Sequence, residues 1–315
     1  MATNRYIFHY TNGDGLLGIV NRHSKEQSEG SIRLWLTDYR YLNDASEGTE
    51  LQRVYDQVVA SMYEKNLIRD EAYEILSAIE FIDGSLFYGL KHLSEDDKKK
   101  AIFAESDSYI CCFSQESDLL DMWRYYSKGN TGYCLGFSYS FLMMQRGLPI
   151  QGKLKTSKVG EFTIEDVIYD NDQKTAIIEE VIKSALSACE QLVGPQLYMM
   201  LSGIVVNRLR KYKLLFKHSC FKNENETRMI LSVPHDITSF DEKLILEVRY
   251  RSSRGVVVPY IEMVFDQRCL INVMVSPFID RDNNGEKNAR ESIERYIKDD
   301  YPNVTVYTSN LPVRF

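Results

Sequence analysis

Along residues 5–11 (RYIFHYT) apolar and polar side chains alternate with the period of a strand, and the run stops at Asn12-Gly13-Asp14-Gly15, a turn-rich stretch. Asp14 is placed to cap a short helix carrying Leu16, Leu17, Ile19 and Val20. Another short strand, 32–36, runs into Thr37-Asp38 and then Leu42-Asn43-Asp44. From Glu47 to about Leu67, Leu51, Val54, Val58 and Met62 recur at helical spacing; a second helical stretch covers about 70–81, and the charged run 95–100 reads as a solvated helix start. Strands are expected at 108–114 and 132–138 with a helix over 119–127 between them, and the Gly, Lys and Ser content of 145–160 predicts a loop. A long helical region spans about 173–216, interrupted near Gly194-Pro195, where proline cannot continue the hydrogen-bond ladder. Further strands fall at 227–233, 243–251, 269–276 and 304–308, with a helix over about 286–298. This pattern predicts an α+β fold: one domain over 1–315, a mixed or antiparallel β core, and helical insertions at about 47–100 and 173–216.

Composition narrows the function classes. A net charge of −7 argues against a general binder of nucleic acid or acidic membrane, yet leaves room for a small basic pocket. The 21 Tyr and 14 Phe supply aromatic faces for a core or for stacking on a planar ligand. Six cysteines without a CxxC spacing, two of them adjacent at Cys111-Cys112, read as buried free thiols in a reducing compartment rather than a zinc site, and no metal is predicted. The start MATNRYIF lacks a signal-peptide core and no apolar run approaches ~18 residues, so a cytoplasmic protein without membrane contact is expected.

Five motifs carry candidate chemistry. His9 shares a strand face with Ile7 and Thr11, where imidazole and hydroxyl can meet a ribose or an amide; taken on spacing alone, a histidine bonding a backbone carbonyl is the simpler account. Asn43-Asp44 with Glu47 follows a strand end, and helix capping by Asp44 or Ser46 suffices to explain it. Met122-Trp123-Arg124-Tyr125-Tyr126 puts Trp123 and Tyr126 on one helix face, able to stack a ring while Arg124 reaches a phosphate, or equally to form core with a snorkelling arginine. Lys217, Glu224 and Glu226 form a mixed-charge set able to hold one carboxylate ionised; were 224 onwards a strand, Glu224, Glu226 and Arg228 would share a face, which a surface strand with Glu–Arg pairing would also explain. Arg249, Arg251 and Arg254 make a basic patch suited to a phosphate, or more simply to a solvated sheet edge.

Together these motifs resemble the mostly bacterial domain-of-unknown-function family 2971. The matching pieces are residues 6–11, 34–47 (LWLTDYRYLNDASE), 112–114, 122–126 with 132–137, Lys217-His218, 224–228 and 309–314. The chain also resembles, more remotely, ADP-ribosyltransferases of the H-Y-E type, through His9-Tyr10-Thr11 followed by Gly-Leu-Leu-Gly-Ile and through Glu224-x-Glu226. That resemblance implies an ADP-ribosyltransferase fold with NAD as co-substrate. It further implies Glu226 with Glu224 as catalytic carboxylates and a site for a nucleotide-containing small molecule built from His9, Tyr10, Thr11, Asn43, Trp123, Arg124, Tyr126, Lys217 and Arg228. Tyr39, Tyr41 and Tyr126 compete for the ring-stacking role. The activity implied is ADP-ribosyl transfer to a protein or nucleic-acid acceptor, or NAD hydrolysis, in a toxin or phage-defence setting. Two alternatives stand beside it: a non-catalytic nucleotide sensor using the same pocket, and a metal-dependent nuclease built on Asp44, Glu47, Glu224 and Glu226.

Overall fold

The computed structural model describes residues 5–21, 31–42, 48–81, 106–126, 132–144, 162–234, 248–253, 255–279 and 284–313. Asn43, Asp44, Glu47 and Arg254, the charged run 95–100 and the loop 145–160 lie outside the described residues.

In chain order the described elements are β1 (Tyr6–Thr11), α1 (Gly13–Ile19), β2 (Val20–Asn21), β3 (Ser31–Asp38), α2 (Glu50–Glu64), α3 (Asp70–Ser77), β4 (Ser106–Ser114), α4 (Leu120–Tyr126), β5 (Tyr133–Ser138) and α5 (Tyr139–Met144). They continue with β6 (Thr163–Asp166), α6 (Asn171–Ala188), α7 (Gly194–Leu209), β7 (Glu226–Pro234), β8 (Val248–Ser253), β9 (Val256–Asp266), β10 (Leu270–Val275), α8 (Gly285–Ile297) and β11 (Thr305–Thr308). The fold is mixed α+β, and its eleven strands form one sheet in the order β11-β10-β5-β1-β4-β3-β9-β8, with β7 and β6 branching from β4 and β2 from β3. Pairing is antiparallel except between β10 and β11, which are joined through α8 as a parallel crossover requires.

One face of the sheet carries the main core: Ile7, Leu34, Leu36, Phe113, Phe137, Met229 and Ile261 pack beneath Leu16 and Ile19 of α1 and Ile293 and Ile297 of α8. On the other face α2, α3, α6 and α7 form a helical layer with its own core, including Leu51, Tyr55, Ile178, Ile182, Leu201 and Val205. The fully buried Lys174 of α6 ties this layer to the sheet-side chain. Its Nζ donates to Glu50 Oε1 and to the Lys217 carbonyl, each at 2.7 Å. Among the described residues no helix is long and apolar enough to cross a membrane.

Three local expectations change. Asn12, not Asp14, caps α1: its side chain accepts from the Gly15 amide at 2.9 Å, and Asp14 sits in the first turn. β9 was not anticipated, because its pattern is almost continuously apolar and Pro259 interrupts it. Pro259 lies one residue past the last β3 pair, Thr37↔Tyr260, where no ladder bond from its nitrogen is needed. Glu224 is not in β7. It closes a 3-10 turn (Ser219–Glu224), and the left-handed Asn225 (φ 43°) separates it from the strand.

Candidate functional site

β4 organises everything that follows. β7 pairs with it along its whole length, from Ser106↔Pro234 to Ser114↔Glu226. The opposite edge of β4 is shared: β1 meets it at Ser114 through Phe8, and β3 meets it at Tyr109 and Ile110 through Asp38 and Thr37. β1 and β3 therefore diverge, and the sheet splits between them beside Cys111, Cys112 and Phe113.

The mixed-charge residues gather on one side of this sheet. Opposed residues of an antiparallel pair project from the same face, so Phe8, Ser114 and Glu226 share a face, with Cys112 and Arg228 next along it. Arg228, wholly buried, donates from Nε to Glu226 Oε1 (2.8 Å), from Nη2 to Oε2 (3.0 Å) and from Nη1 to the Leu214 carbonyl (2.7 Å). Such a fork between residues two apart requires a strand, in which both project together. Lys217 Nζ donates to Glu226 Oε2 (2.9 Å) and to Glu224 Oε2 (2.7 Å), bridging the two carboxylates. The turn carrying Glu224 is held by Ser114, whose Oγ donates to the Glu224 carbonyl at 2.9 Å. The Tyr169 hydroxyl accepts from the Glu226 amide at 3.1 Å.

The electrostatics follow from this packing. Burial alone would raise the Glu226 pKa, but the charges and bonds of Arg228 and Lys217 outweigh it and pull the carboxyl down to about 2. Burial works against the Lys217 cation, and Glu226 and Glu224 more than reverse that, raising its pKa. Burial and then the Glu226 charge push the Cys112 thiol up, so it stays protonated. Tyr126 is half-buried on α4, which packs against the Ser219–Glu224 turn, and its pKa is raised first by burial and then by Cys112, Glu224 and Glu226. The arrangement is a pair of carboxyl groups fixed by one lysine, with a tyrosine at its border.

Of the residues expected to form one site, Glu224, Glu226, Lys217, Arg228 and Tyr126 come together. The other described residues of that set do not join them. His9 alternates with Phe8 and so points to the opposite face, as its edge-on contact with the Phe113 ring at 5.8 Å shows; Thr11 follows it. His9 Nδ1 instead meets the Cys112 carbonyl at 2.8 Å, occupying an edge group of β4 that the diverging β1 leaves without a ladder partner. Burial lowers its pKa, the Cys112 bond opposes this, and the Arg251 charge lowers it further. Trp123 cannot cover a ligand ring: it is 1% exposed, its Nε1 donates to Asp118 Oδ1 at 2.7 Å, and its ring meets Tyr10 edge-on at 4.9 Å. The same Asp118 accepts from Ser309 Oγ at 2.7 Å and from the Asn310 amide at 3.3 Å, so these distant motifs meet in one structural knot. Tyr10 belongs to that knot, its hydroxyl donating to the Glu116 carbonyl and accepting from the Leu119 amide, both at 3.0 Å. Arg124 is exposed.

A second polar group sits on the β3 side of the split. Arg251 of β8 donates from Nη2 to Thr37 Oγ1 at 2.9 Å, and its guanidinium lies 5.5 Å from the Trp35 ring and 5.9 Å from the Tyr260 ring. Trp35 packs on α1 so closely that a Cβ at Gly18 would come within 2.9 Å of its ring. Arg251 stands in a basic patch that the sequence displays, whereas Trp35, Thr37, Tyr260 and Tyr169 carry no local sign of a site role. The available signal, the period-two placement of Trp35 and Thr37 in SIRLWLTD away from Leu34 and Leu36, says only that they share a strand face.

Among the described residues no three His, Cys, Asp or Glu side chains are arranged to hold a metal ion, and all six cysteines are free. Residues 122–229 match the family model described as a protein of unknown function, DUF2971. The match includes the aromatic helix, Lys217 and the Glu224–Arg228 motif. The resembling pieces at 6–11, 34–47, 112–114 and 309–314 lie outside it. No curated protein and no solved structure matches the chain.

Proposed function

We propose that the Glu224–Glu226 cluster is the reaction centre of an NAD-consuming enzyme with an ADP-ribosyltransferase-like fold, acting as an ADP-ribosyltransferase or NAD glycohydrolase. The observation that carries this reading is the bridging Lys217: it donates to both Glu224 and Glu226 and fixes the two side chains side by side near the half-buried Tyr126. Roles follow from which oxygens are engaged. Glu226 spends both oxygens on Arg228 and Lys217, whereas Glu224 gives only Oε2 to Lys217 and its side chain is partly exposed. Glu224 is therefore the carboxylate that accepts from a ribose hydroxyl, and Glu226 is a positioning residue acting through Lys217. Tyr126 covers the nicotinamide ring.

In the reaction the nicotinamide–ribose C–N bond breaks and its electron pair leaves on the nicotinamide nitrogen, creating oxocarbenium character at C1′. A fixed anion stabilises that charge, and a nucleophile of the acceptor, or water, bonds to C1′ and releases its proton. The test is nicotinamide release and label transfer from NAD in cell extract. Glu224→Gln should lower the rate by about 10²-fold or more with KM little changed, the signature of an interaction made in the transition state. Full activity in Glu224→Gln overturns the assignment. Saturable NAD binding by wild type without nicotinamide release would replace the enzyme reading by that of a nucleotide sensor.

A further inference from the structure

We propose that Arg251, with Thr37 and the Trp35 and Tyr260 rings, forms an anion-binding site that takes the phosphate of a nucleotide-class ligand at the β1–β3 split. Its position comes from the sheet. Thr37, Ile110 and Ile230 stand in one cross-strand row, which puts Thr37 on the face that carries Arg228 and Glu226. β8 is an edge strand, yet Arg251 turns inward over Trp35 and Tyr260 rather than out to solvent.

The charge balance distinguishes Arg251 from its neighbours. Glu262 accepts from Trp35 Nε1 (3.2 Å) and pairs with Arg33 (3.5 Å) and Arg249 (3.2 Å). Arg251 forms no ion pair with a carboxylate among the described residues, and its Nε is buried without any acceptor. Burial lowers its pKa, with Cys111 and Tyr260 opposing only in part, and its positive charge is felt at His9 and Cys111 on the split. A desolvated guanidinium with an unused donor is a costly arrangement unless something completes it. Two aromatic faces beside it add what a nucleotide has besides phosphate, a planar ring. Among the described residues Arg33 Nε is likewise buried without an acceptor, but Arg33 pairs with Glu262, whereas Arg251 has no carboxylate to answer its charge.

The structure also provides its own reporter. The chain has two tryptophans, Trp35 in this site and Trp123 in the Asp118 knot. Titration of wild type with pyrophosphate and with ADP should give saturable changes in fluorescence that vanish in Trp35→Phe. Calorimetry on the same proteins should find binding at least about tenfold weaker in Arg251→Gln, with partial retention in Arg251→Lys, as loss of a charge-assisted anion contact demands. Without ligand, Arg251→Gln should melt at or above the wild-type temperature, because it removes a half-buried charge that has no carboxylate partner among the described residues; a structural stacking role requires a lower one. Equal affinity in Arg251→Gln, a lower melting temperature for it, or no saturable response to either probe overturns the inference. It does not depend on the transfer reaction: ADP bound through Arg251 in a protein that never releases nicotinamide leaves this site standing and removes the proposed chemistry.

Discussion

The two polar groups on this sheet treat charge in opposite ways. Around Glu226, two cations and two carboxylates close on one another, and Glu226 has no oxygen left to give. Around Arg251, the cation has a hydroxyl and two rings, and its Nε has no acceptor among the described residues. Self-completed networks fix geometry and incomplete ones invite a ligand, since an unmet buried donor is the costlier state. The comparison teaches that a concentration of charged residues is a poor guide to where a ligand sits. What matters is which atoms remain unanswered: one oxygen of Glu224 on the first side, the Nε of Arg251 on the second.

The sharpest way to break the comparison is Glu226→Gln. It leaves the buried Arg228 without its anion and Lys217 with Glu224 alone, and should cost about 3–5 kcal/mol in urea unfolding, as removal of one partner from a buried pair does. A change below about 1 kcal/mol would mean that the network is not closed as described. The pH dependence has a definite sign. The folded Glu226 pKa lies near 2 against an ordinary 4.5, so its contribution is complete above the unfolded value and is lost as pH falls from about 4.5 towards 2. Acid titration of stability should show that loss in wild type, and the Glu226 part of it should be missing in Glu226→Gln.

How much of this was legible beforehand depends on whether the information was local. Strand and helix periods predicted β1, β4, β5, α2 and α4 within a few residues, because apolar spacing and the turn residues between elements are local signals. The Lys217, Glu224, Glu226 and Arg228 set was visible as charges around the start of an apolar strand, an arrangement that a plain core strand has no use for. What could not be read was partnership across the sheet. His9 looked like a site residue because its neighbours alternate correctly; that same alternation sends it to the face opposite Glu226, and only the shared edge of β4 reveals this. Trp123 carried the look of a stacking platform, but its partner Asp118 is itself bound by Ser309, 191 residues further on, a contact no local pattern encodes. Arg251 read as an edge charge because the strand it lies against, β9, was not foreseen.

The next effect in size concerns the split itself. His9→Phe removes the group that meets the Cys112 carbonyl and leaves an acceptor unanswered, which should cost about 1–3 kcal/mol. His9→Gln, whose amide can still donate to that carbonyl, should lose less. The two variants also separate bonding from titration. Burial and the Arg251 charge lower the His9 pKa below 6.5, so wild type loses stability as pH drops through and below that value, where the unfolded chain takes up a proton that the folded one refuses. That component should vanish in His9→Gln. If pH profiles of wild type and His9→Gln coincide between about pH 7 and 5, His9 is not held neutral and the split is not sealed by it.

The smallest expected effect is the most direct check on which half of the aromatic helix faces the protein. Arg124 and Trp123 are adjacent in sequence, yet Trp123 is fully enclosed by the Asp118 knot and Arg124 projects into solvent from α4. Arg124→Ala should therefore change stability by no more than about 0.5 kcal/mol and leave NAD and ADP affinities unaltered. A loss of ligand affinity in Arg124→Ala would mean that α4 turns its exposed side to the ligand. The binding surface would then lie outside both the Glu226 network and the Arg251 cleft, and the contrast between closed and open charge would no longer locate function on this sheet.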